Sequence, residues 1–288
     1  MNQTYLQFLQ EAKRVLKKHK VSSPEVNAEL LLSYVVKKSK VGLYLNGNET
    51  LTQAQDKKLK GLIQERIKGK PLQYILGETE FYGLKLKVDK NVLIPRPETE
   101  IVVENVIDFF KDSSGKLQIV DWGTGSGNIA IALAKNLNCF VYALDISKSA
   151  LKIAEQNAVL NDVSSRIKFL HSHNFKKMDK KLKGKIDAIV SNPPYVKKTD
   201  FQKLPQEIKK FEPKVALLSL QNGLFYLHKI IKEAKPFLKS GGLIALEVGL
   251  GQALKVVKLL KKEGIFENIQ VKKDLAGIDR VVLAQRKF

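Results

Sequence analysis

Hydrophobic and polar positions follow two rhythms along this chain, and the change falls near residue 73. Before it the period is helical: Leu6, Leu9, Ala12, Val15 and Leu16 share one face of a helix predicted within 2–20. Ser23 and Pro24 read as an N-cap followed by proline in the first turn of a second helix, which runs to Val36. Thr52 caps a third helix, which ends near Gly69 at the C′ position. From 73 to 90 the pattern is strand-like: 73–76 is a short apolar run, 84–88 alternates, and Tyr82-Gly83 supplies a turn, so a β-hairpin is predicted. The stretch 93–100 (Leu-Ile-Pro-Arg-Pro-Glu-Thr-Glu) stays extended through its prolines until Glu98 or Thr99 opens the next helix. Beyond it, strands at 117–121, 140–144, 167–170, 186–190, 243–248, 266–272 and 279–285 are interleaved with helices at 128–136, 147–160, 224–238 and 252–262. Such alternation predicts a parallel sheet covered by helices on both faces. The expected organisation is a small helical domain at 1–72, a β-hairpin linker at 73–95 and an α/β domain at 96–288.

Composition narrows the class. At 44% hydrophobic the chain can bury a sizeable core. The single cysteine, Cys139, excludes an internal disulfide framework and a cysteine-based zinc site, and its place in an apolar run reads as a small buried hydrophobe. With no charged-then-apolar leader and no run of 18 apolar residues, a soluble cytoplasmic protein is expected. The net charge of +21 (50 Lys+Arg against 29 Asp+Glu) points to polyanionic surroundings such as the ribosome or nucleic acid. That excess is mostly lysine, scattered in pairs such as Lys17-Lys18, Lys176-Lys177 and Lys197-Lys198, while arginine, the usual reader of base edges, is scarce. The expectation is a solvated basic surface, with nucleic acid not required.

Three strand ends carry candidate chemistry. The strand at 186–190 stops at Asn192-Pro193-Pro194-Tyr195, where two consecutive prolines forbid both helix and continued ladder. The Asn192 amide oxygen and the Pro193 carbonyl offer two acceptors beside an aromatic face, a set able to grip an NH2 group attached to a planar π system. Asp121-Trp-Gly123-Thr124-Gly125-Ser126-Gly127 closes one strand and opens a helix, where glycines let the backbone approach a ligand and supply amides. Its G-x-G-x-G spacing departs from the G-x-G-x-x-G of dinucleotide binders and argues against a nicotinamide oxidoreductase. Asp145, at the end of the following strand, is placed to accept both hydroxyls of a ribose. Open α/β sheets bind ligands beyond strand C-termini at the switch point. A nucleoside at the first two motifs would therefore meet a planar amine at the third, which suits methyl transfer from S-adenosylmethionine to nitrogen.

On these residues the chain resembles the bacterial protein-(glutamine-N5) methyltransferases of class I peptide chain release factors, the PrmC/HemK family. Further segments carry the likeness: 70–77 (Lys-Pro-Leu-Gln-Tyr-Ile-Leu-Gly), 93–100, 212–216, 246–249 and 274–281. Asn-Pro-Pro-Tyr alone is shared with DNA-adenine and ribosomal-RNA guanine methyltransferases, so a nucleic-acid exocyclic-amine methyltransferase is the alternative; the segment 93–100 separates the two. A basic docking module with a vestigial nucleotide domain is a further rival, disfavoured by the complete motif set.

The resemblance implies a seven-stranded, Rossmann-like class I methyltransferase domain preceded by the helical domain, which contacts a partner. It implies cofactor binding by Gly123, Thr124, Gly125, Ser126, Gly127, Asp145, Asn174 and Asn192. Asn192, Pro193, Pro194 and Tyr195 are expected to hold the glutamine of a Gly-Gly-Gln tripeptide, with Asn192, Pro193 and Tyr195 catalytic and Tyr195 a packing wall. The chain departs from the family at Ser172-His173-Asn174-Phe175, where an acidic residue expected near the adenine is missing. No metal is expected, since His171 and His173 lack companion carboxylates or cysteines. Nothing in the sequence demands more than a monomer.

Overall fold

The computed structural model describes residues 3–288. Its contacts divide the chain into two compact units, one formed by the residues up to Gly77 with Pro205–Phe211, the other by Glu78–Leu204 with Glu212–Phe288.

The first unit is helical: α1 (Tyr5–Lys18), α2 (Pro24–Val36), α3 (Lys40–Leu45), α4 (Gln53–Ile67) and α5 (Leu72–Leu76), with the later segment adding Gln206–Phe211. Thr4 and Thr52 each close a capping box, with Gln7 and Gln55 respectively, which satisfies orphan amides at the starts of α1 and α4. Phe8, Leu16, Leu31, Leu32, Leu59 and Ile63 are among the buried residues of its core. The structure departs from the predicted pattern at three places. Ser23 makes no side-chain cap; it sits in the left-handed region, and Asn27 Nδ2 bonds the Ser22 and Ser23 carbonyls instead. Helix α3, started by Ser39 accepting from the Gly42 amide, carries too short an apolar pattern to announce itself. Residues 73–76, expected to be a strand, lie in α5: Leu72 and Ile75 bury at i, i+3 spacing, and Gly77 ends the turn in the left-handed conformation. A short apolar run has the same composition in either geometry.

The second unit holds the hairpin β1 (Glu78–Phe81) and β2 (Leu84–Lys87), then α6 (Glu100–Phe110), β3 (Leu117–Trp122), α7 (Asn128–Asn136), β4 (Cys139–Asp145), α8 (Lys148–Leu160), β5 (Ile167–His171) and β6 (Ile186–Ser191). Helix Phe225–Ala234 leads to β7 (Leu238–Glu247), helix Ala253–Lys262 follows, and β8 (Phe266–Lys273) and β9 (Asp279–Arg286) complete a sheet ordered β5-β4-β3-β6-β7-β9-β8. The first five of these strands are parallel, while β9 runs antiparallel to both β7 and β8. Alternate residues bury on opposite faces: Ile119, Ala188 and Val190 join α6 and α7, whereas Val120, Ile189 and Ile244 join the helices Phe225–Ala234 and Ala253–Lys262. Strand β7 begins earlier than its apolar run suggests, because the β6–β7 register shifts around Gly241 and Gly242.

The hairpin is integral to this unit and is no linker. Buried Asn157 on α8 accepts from the Lys87 amide at 2.7 Å and donates to the Lys87 carbonyl at 3.0 Å and the Ser126 carbonyl at 2.9 Å. Asn161 donates to the Lys85 carbonyl at 3.0 Å. One side chain thus fastens the hairpin and the glycine loop to the same helix. Asn157→Ala leaves these backbone groups without partners and is expected to cost about 2–3 kcal/mol. A lower urea midpoint with unchanged slope is the expected result in equilibrium unfolding.

Candidate active site

The parallel sheet reverses its order between β3 and β6, since the chain proceeds from β3 outward to β5 and then returns to pair β6 with the other edge of β3. Loops leaving the C-terminal ends of these strands diverge and open a crevice. A cavity opens there, lined by Thr99, Trp122, Gly123, Thr124, Gly125, Ser126, Asp145, His173, Asn192 and Pro194, among others. The three candidate motifs therefore converge on one cavity.

The glycine loop is held from below. Gly123 and Thr124 amides donate to the Leu144 carbonyl at 2.8 and 2.9 Å, and the Gly127 amide donates to the Thr124 carbonyl at 2.8 Å. The Gly125 amide donates to Asp145 Oδ2 at 2.9 Å. Most loop amides are thus engaged within the loop, so its glycines contribute close approach more than free donors. A side chain at Gly127 would be strained, since φ is 83° and an added Cβ would lie 3.0 Å from Ile131 Cδ1 and 3.1 Å from Ala154 Cβ. Under the loop, fully buried Asp121 accepts from Thr124 Oγ1 at 2.6 Å and from the Ala130 amide at 3.2 Å. Burial raises its pKa to about 7 against the pull of these bonds.

Asp145 Oδ1 accepts from the Ser147 amide at 2.8 Å, so each oxygen already takes one backbone hydrogen and retains capacity for a hydroxyl. Burial holds its pKa above the ordinary carboxylate value, opposed by the Ser147 and Gly125 amides. Two residues lining the cavity, Trp122 and Ser126, carry buried polar atoms, Nε1 and Oγ, without a partner among the described residues. A glycine wall, a carboxylate with spare acceptor sites, unpaired donors and apolar surfaces fit a nucleoside-bearing ligand.

At the β6 end, Ser191 Oγ donates to the Trp122 carbonyl at 2.6 Å, tying the two sides of the crevice together. Asn192 Nδ2 donates to Thr99 Oγ1 at 2.9 Å, Thr99 Oγ1 donates to Glu247 Oε2 at 2.6 Å, and Tyr195 Oη donates to Glu247 Oε1 at 3.0 Å. Glu247 is buried, which raises its pKa to about 7 against the pull of Thr99, Tyr195 and Arg280. Burial and then Glu247 push the Tyr195 phenol upward.

Not every expected site residue reaches the cavity. Gly127, Pro193, Tyr195 and Asn174 are outside its lining. The Tyr195 ring lies where a Cβ on Gly249 would come within 2.9 Å of it, and its hydroxyl donates to Glu247. Asn174 caps the turn Phe175–Lys177 by accepting from the Lys176 amide at 3.0 Å, while its neighbours Ser172 and His173 line the cavity. Arg96 also lines it, paired at 2.6 Å with buried Glu212. Thr99 and Glu247, which the sequence did not single out, connect Asn192 to Tyr195, and each sits inside a segment that carried the family likeness.

Fold and site together define a class I S-adenosylmethionine-dependent methyltransferase. Residues 7–77 match the family model of the PrmC N-terminal domain, and residues 113–276 match that of a methyltransferase domain. The release factor glutamine methyltransferase of Thermodesulfovibrio yellowstonii is 43% identical over 262 residues, covering 90% of this chain and 91% of that protein. Its namesake from Coxiella burnetii is 41% identical over 266 residues, covering 92% of each. Among solved structures, the hMettl16 catalytic domain in complex with the MAT2A 3′UTR hairpin 1 shares the fold, with a TM-score of 0.59 at 16% identity, covering 89% of this chain and 91% of that one. The chain belongs to the release factor glutamine methyltransferase family.

Asp145→Ala is expected to weaken S-adenosylmethionine binding roughly 100-fold by calorimetry through loss of two charge-assisted hydroxyl contacts. In the wild type, affinity is expected to fall on acidification. Because the pKa of Asp145 is raised, the fall begins at a higher pH than for an ordinary aspartate and is absent from the variant.

Proposed function

We propose that this enzyme methylates the side-chain amide nitrogen of the glutamine in the Gly-Gly-Gln tripeptide of class I peptide chain release factors, acting in the cytoplasm as a monomer without a metal. The observation that carries the reading is Asn192, whose amide nitrogen is held by Thr99 at 2.9 Å while its residue faces the cavity shared with the glycine loop and Asp145. Its relatives' names specify the substrate class, and the spare acceptors fit a primary amide.

When bound, S-adenosylmethionine supplies an electrophilic methyl group on a sulfonium. Gly123, Gly125 and Ser126 would border it, with Asp145 on its ribose hydroxyls and Ile146 and His173 beside the base. The chain's remaining task is to make a poor nucleophile usable. An amide lone pair is delocalised into its carbonyl. A hydrogen bond from a substrate N–H group to Asn192 Oδ1 returns density to nitrogen and fixes its direction. Most of the acceleration is then positional. As the N–C bond forms and the sulfonium C–S bond breaks, the nitrogen becomes strongly acidic and sheds one proton to solvent, so no strong base is required beforehand.

Labelled S-adenosylmethionine supplied with a purified release factor, its Gln→Ala variant, duplex DNA and ribosomal RNA tests the reading. Label on the wild-type factor alone is expected; label on nucleic acid overturns the substrate assignment. Asn192→Ala is expected to lose roughly 100-fold or more in kcat while retaining cofactor affinity.

A further inference from the structure

We propose that Thr99 and Glu247 are positioning residues that fix the orientation of the Asn192 amide, so that its oxygen and not its NH2 group meets the substrate. The inference rests on the reading that Asn192 Oδ1 accepts from the target amide.

Thr99 and Glu247 are among the most buried polar residues of the chain, at 0% and 1% exposure. A hydroxyl carries a single hydrogen, and an ionised carboxylate only accepts. At 2.6 Å from Glu247 Oε2, the Thr99 hydrogen is committed to the carboxylate. Thr99 Oγ1 can then only accept from Asn192, which sets the nitrogen of that amide toward Thr99. The oxygen is left for the cavity, where it takes no hydrogen bond from any described residue. Without this chain of donors the two ends of the amide are nearly the same size and would exchange. With NH2 facing the cavity, donor would oppose donor against the substrate amide.

The supports are themselves rigid. Thr99 ends the turn Pro97–Thr99, placed by the prolines at 95 and 97, and Glu247 ends β7. Tyr195 occupies Glu247 Oε1, so the carboxylate has one oxygen for Thr99 and one for the far end of the Asn-Pro-Pro-Tyr loop. Glu247 thereby holds both ends of that loop. The charged groups acting on it besides Tyr195 are Arg280, which favours the carboxylate, and Glu98, which opposes it. Protonated Glu247 becomes a donor toward Thr99 and no longer dictates the hydroxyl direction.

Steady-state kinetics of Thr99→Val, Thr99→Ser, Glu247→Gln, Asn192→Ala and the Thr99→Val/Asn192→Ala double variant test this, with cofactor affinity measured by calorimetry and folding by thermal melts. Thr99→Val is expected to lower kcat roughly 30-fold through misorientation, with cofactor Kd unchanged. Thr99→Ser restores the rate. In the Asn192→Ala background the valine costs nothing further, because there is no amide left to orient. Wild-type kcat should fall as pH drops through about 7, and Glu247→Gln should be slow throughout and lack that limb. Slower hydrogen exchange of the Asn192 side-chain NH2 in wild type than in Thr99→Val gives a readout independent of turnover. A Thr99→Val kcat within about threefold of wild type, or losses that multiply in the double variant, overturns the proposal. If Glu247→Gln retains the limb, Glu247 is not the controlling group. Should Thr99→Val misfold, Thr99→Ser with Glu247→Gln decides the question alone. Unimpaired turnover in Asn192→Ala sinks the acceptor reading itself, whereas an inactive Asn192→Ala beside a fully active Thr99→Val sinks only the positioning role.

Discussion

The parallel pairing of β3 with β6 is the constraint on which the catalytic unit depends. Ile119, Val120 and Asp121 lie opposite Ala188, Ile189 and Val190, and this register brings two loops from distant sequence to the same edge of the sheet. One residue of slip would exchange the two faces of either strand, moving Ile189 to the side of α7 and Val190 to the other. Burial on both faces forbids that. Ser191, bonded to the Trp122 carbonyl just past the paired residues, closes the register at the point where the crevice begins. The site's geometry thus follows from packing that has no part in chemistry.

Two buried polar groups inside this unit each join several segments. Asn157 serves the hairpin and the glycine loop together; Glu247 serves the turn before α6 and the loop after β6. In a low-dielectric interior such satisfied groups specify one arrangement and penalise all others. Gly223 and Gly249 belong to the same scheme, because added Cβ atoms would meet Tyr195 at 2.3 and 2.9 Å. The Asn-Pro-Pro-Tyr loop keeps its shape because its surroundings leave no alternative volume.

The sheet was legible in the sequence because buried parallel strands are short, apolar and bounded by turn residues, and each strand overlaps its predicted range, β7 alone starting well before it. Gly123, Gly125, Asp145 and Asn192 were legible because their chemistry is carried by residue types that are uncommon at strand ends. What escaped detection depends on distance in three dimensions. Thr99 and Glu247 stand 148 residues apart, and neither residue type is unusual where it sits. Asn157 looks like any polar residue on an amphipathic helix until the hairpin is docked on it. Tyr195 was legible as an aromatic beside a substrate motif, but its bond to Glu247 was not. Residues 72–76 show the limit of periodicity, since one turn of helix and one short strand spend the same few apolar residues.

The discontinuity of the helical unit bears on how the chain is made. Arg66, nearly enclosed, donates to Asn27 Oδ1 at 2.7 Å, the Lys70 carbonyl at 2.9 Å and Glu207 Oε2 at 2.8 Å. The last of these partners lies 141 residues downstream. As the chain leaves the ribosome, the helices up to Gly77 emerge with a guanidinium whose carboxylate has not been synthesised, and β3 to β6 must appear before it arrives. Helical order in the first unit can form early, but its charge balance is completed only once most of the parallel sheet is available, which couples the maturation of one unit to the translation of the other.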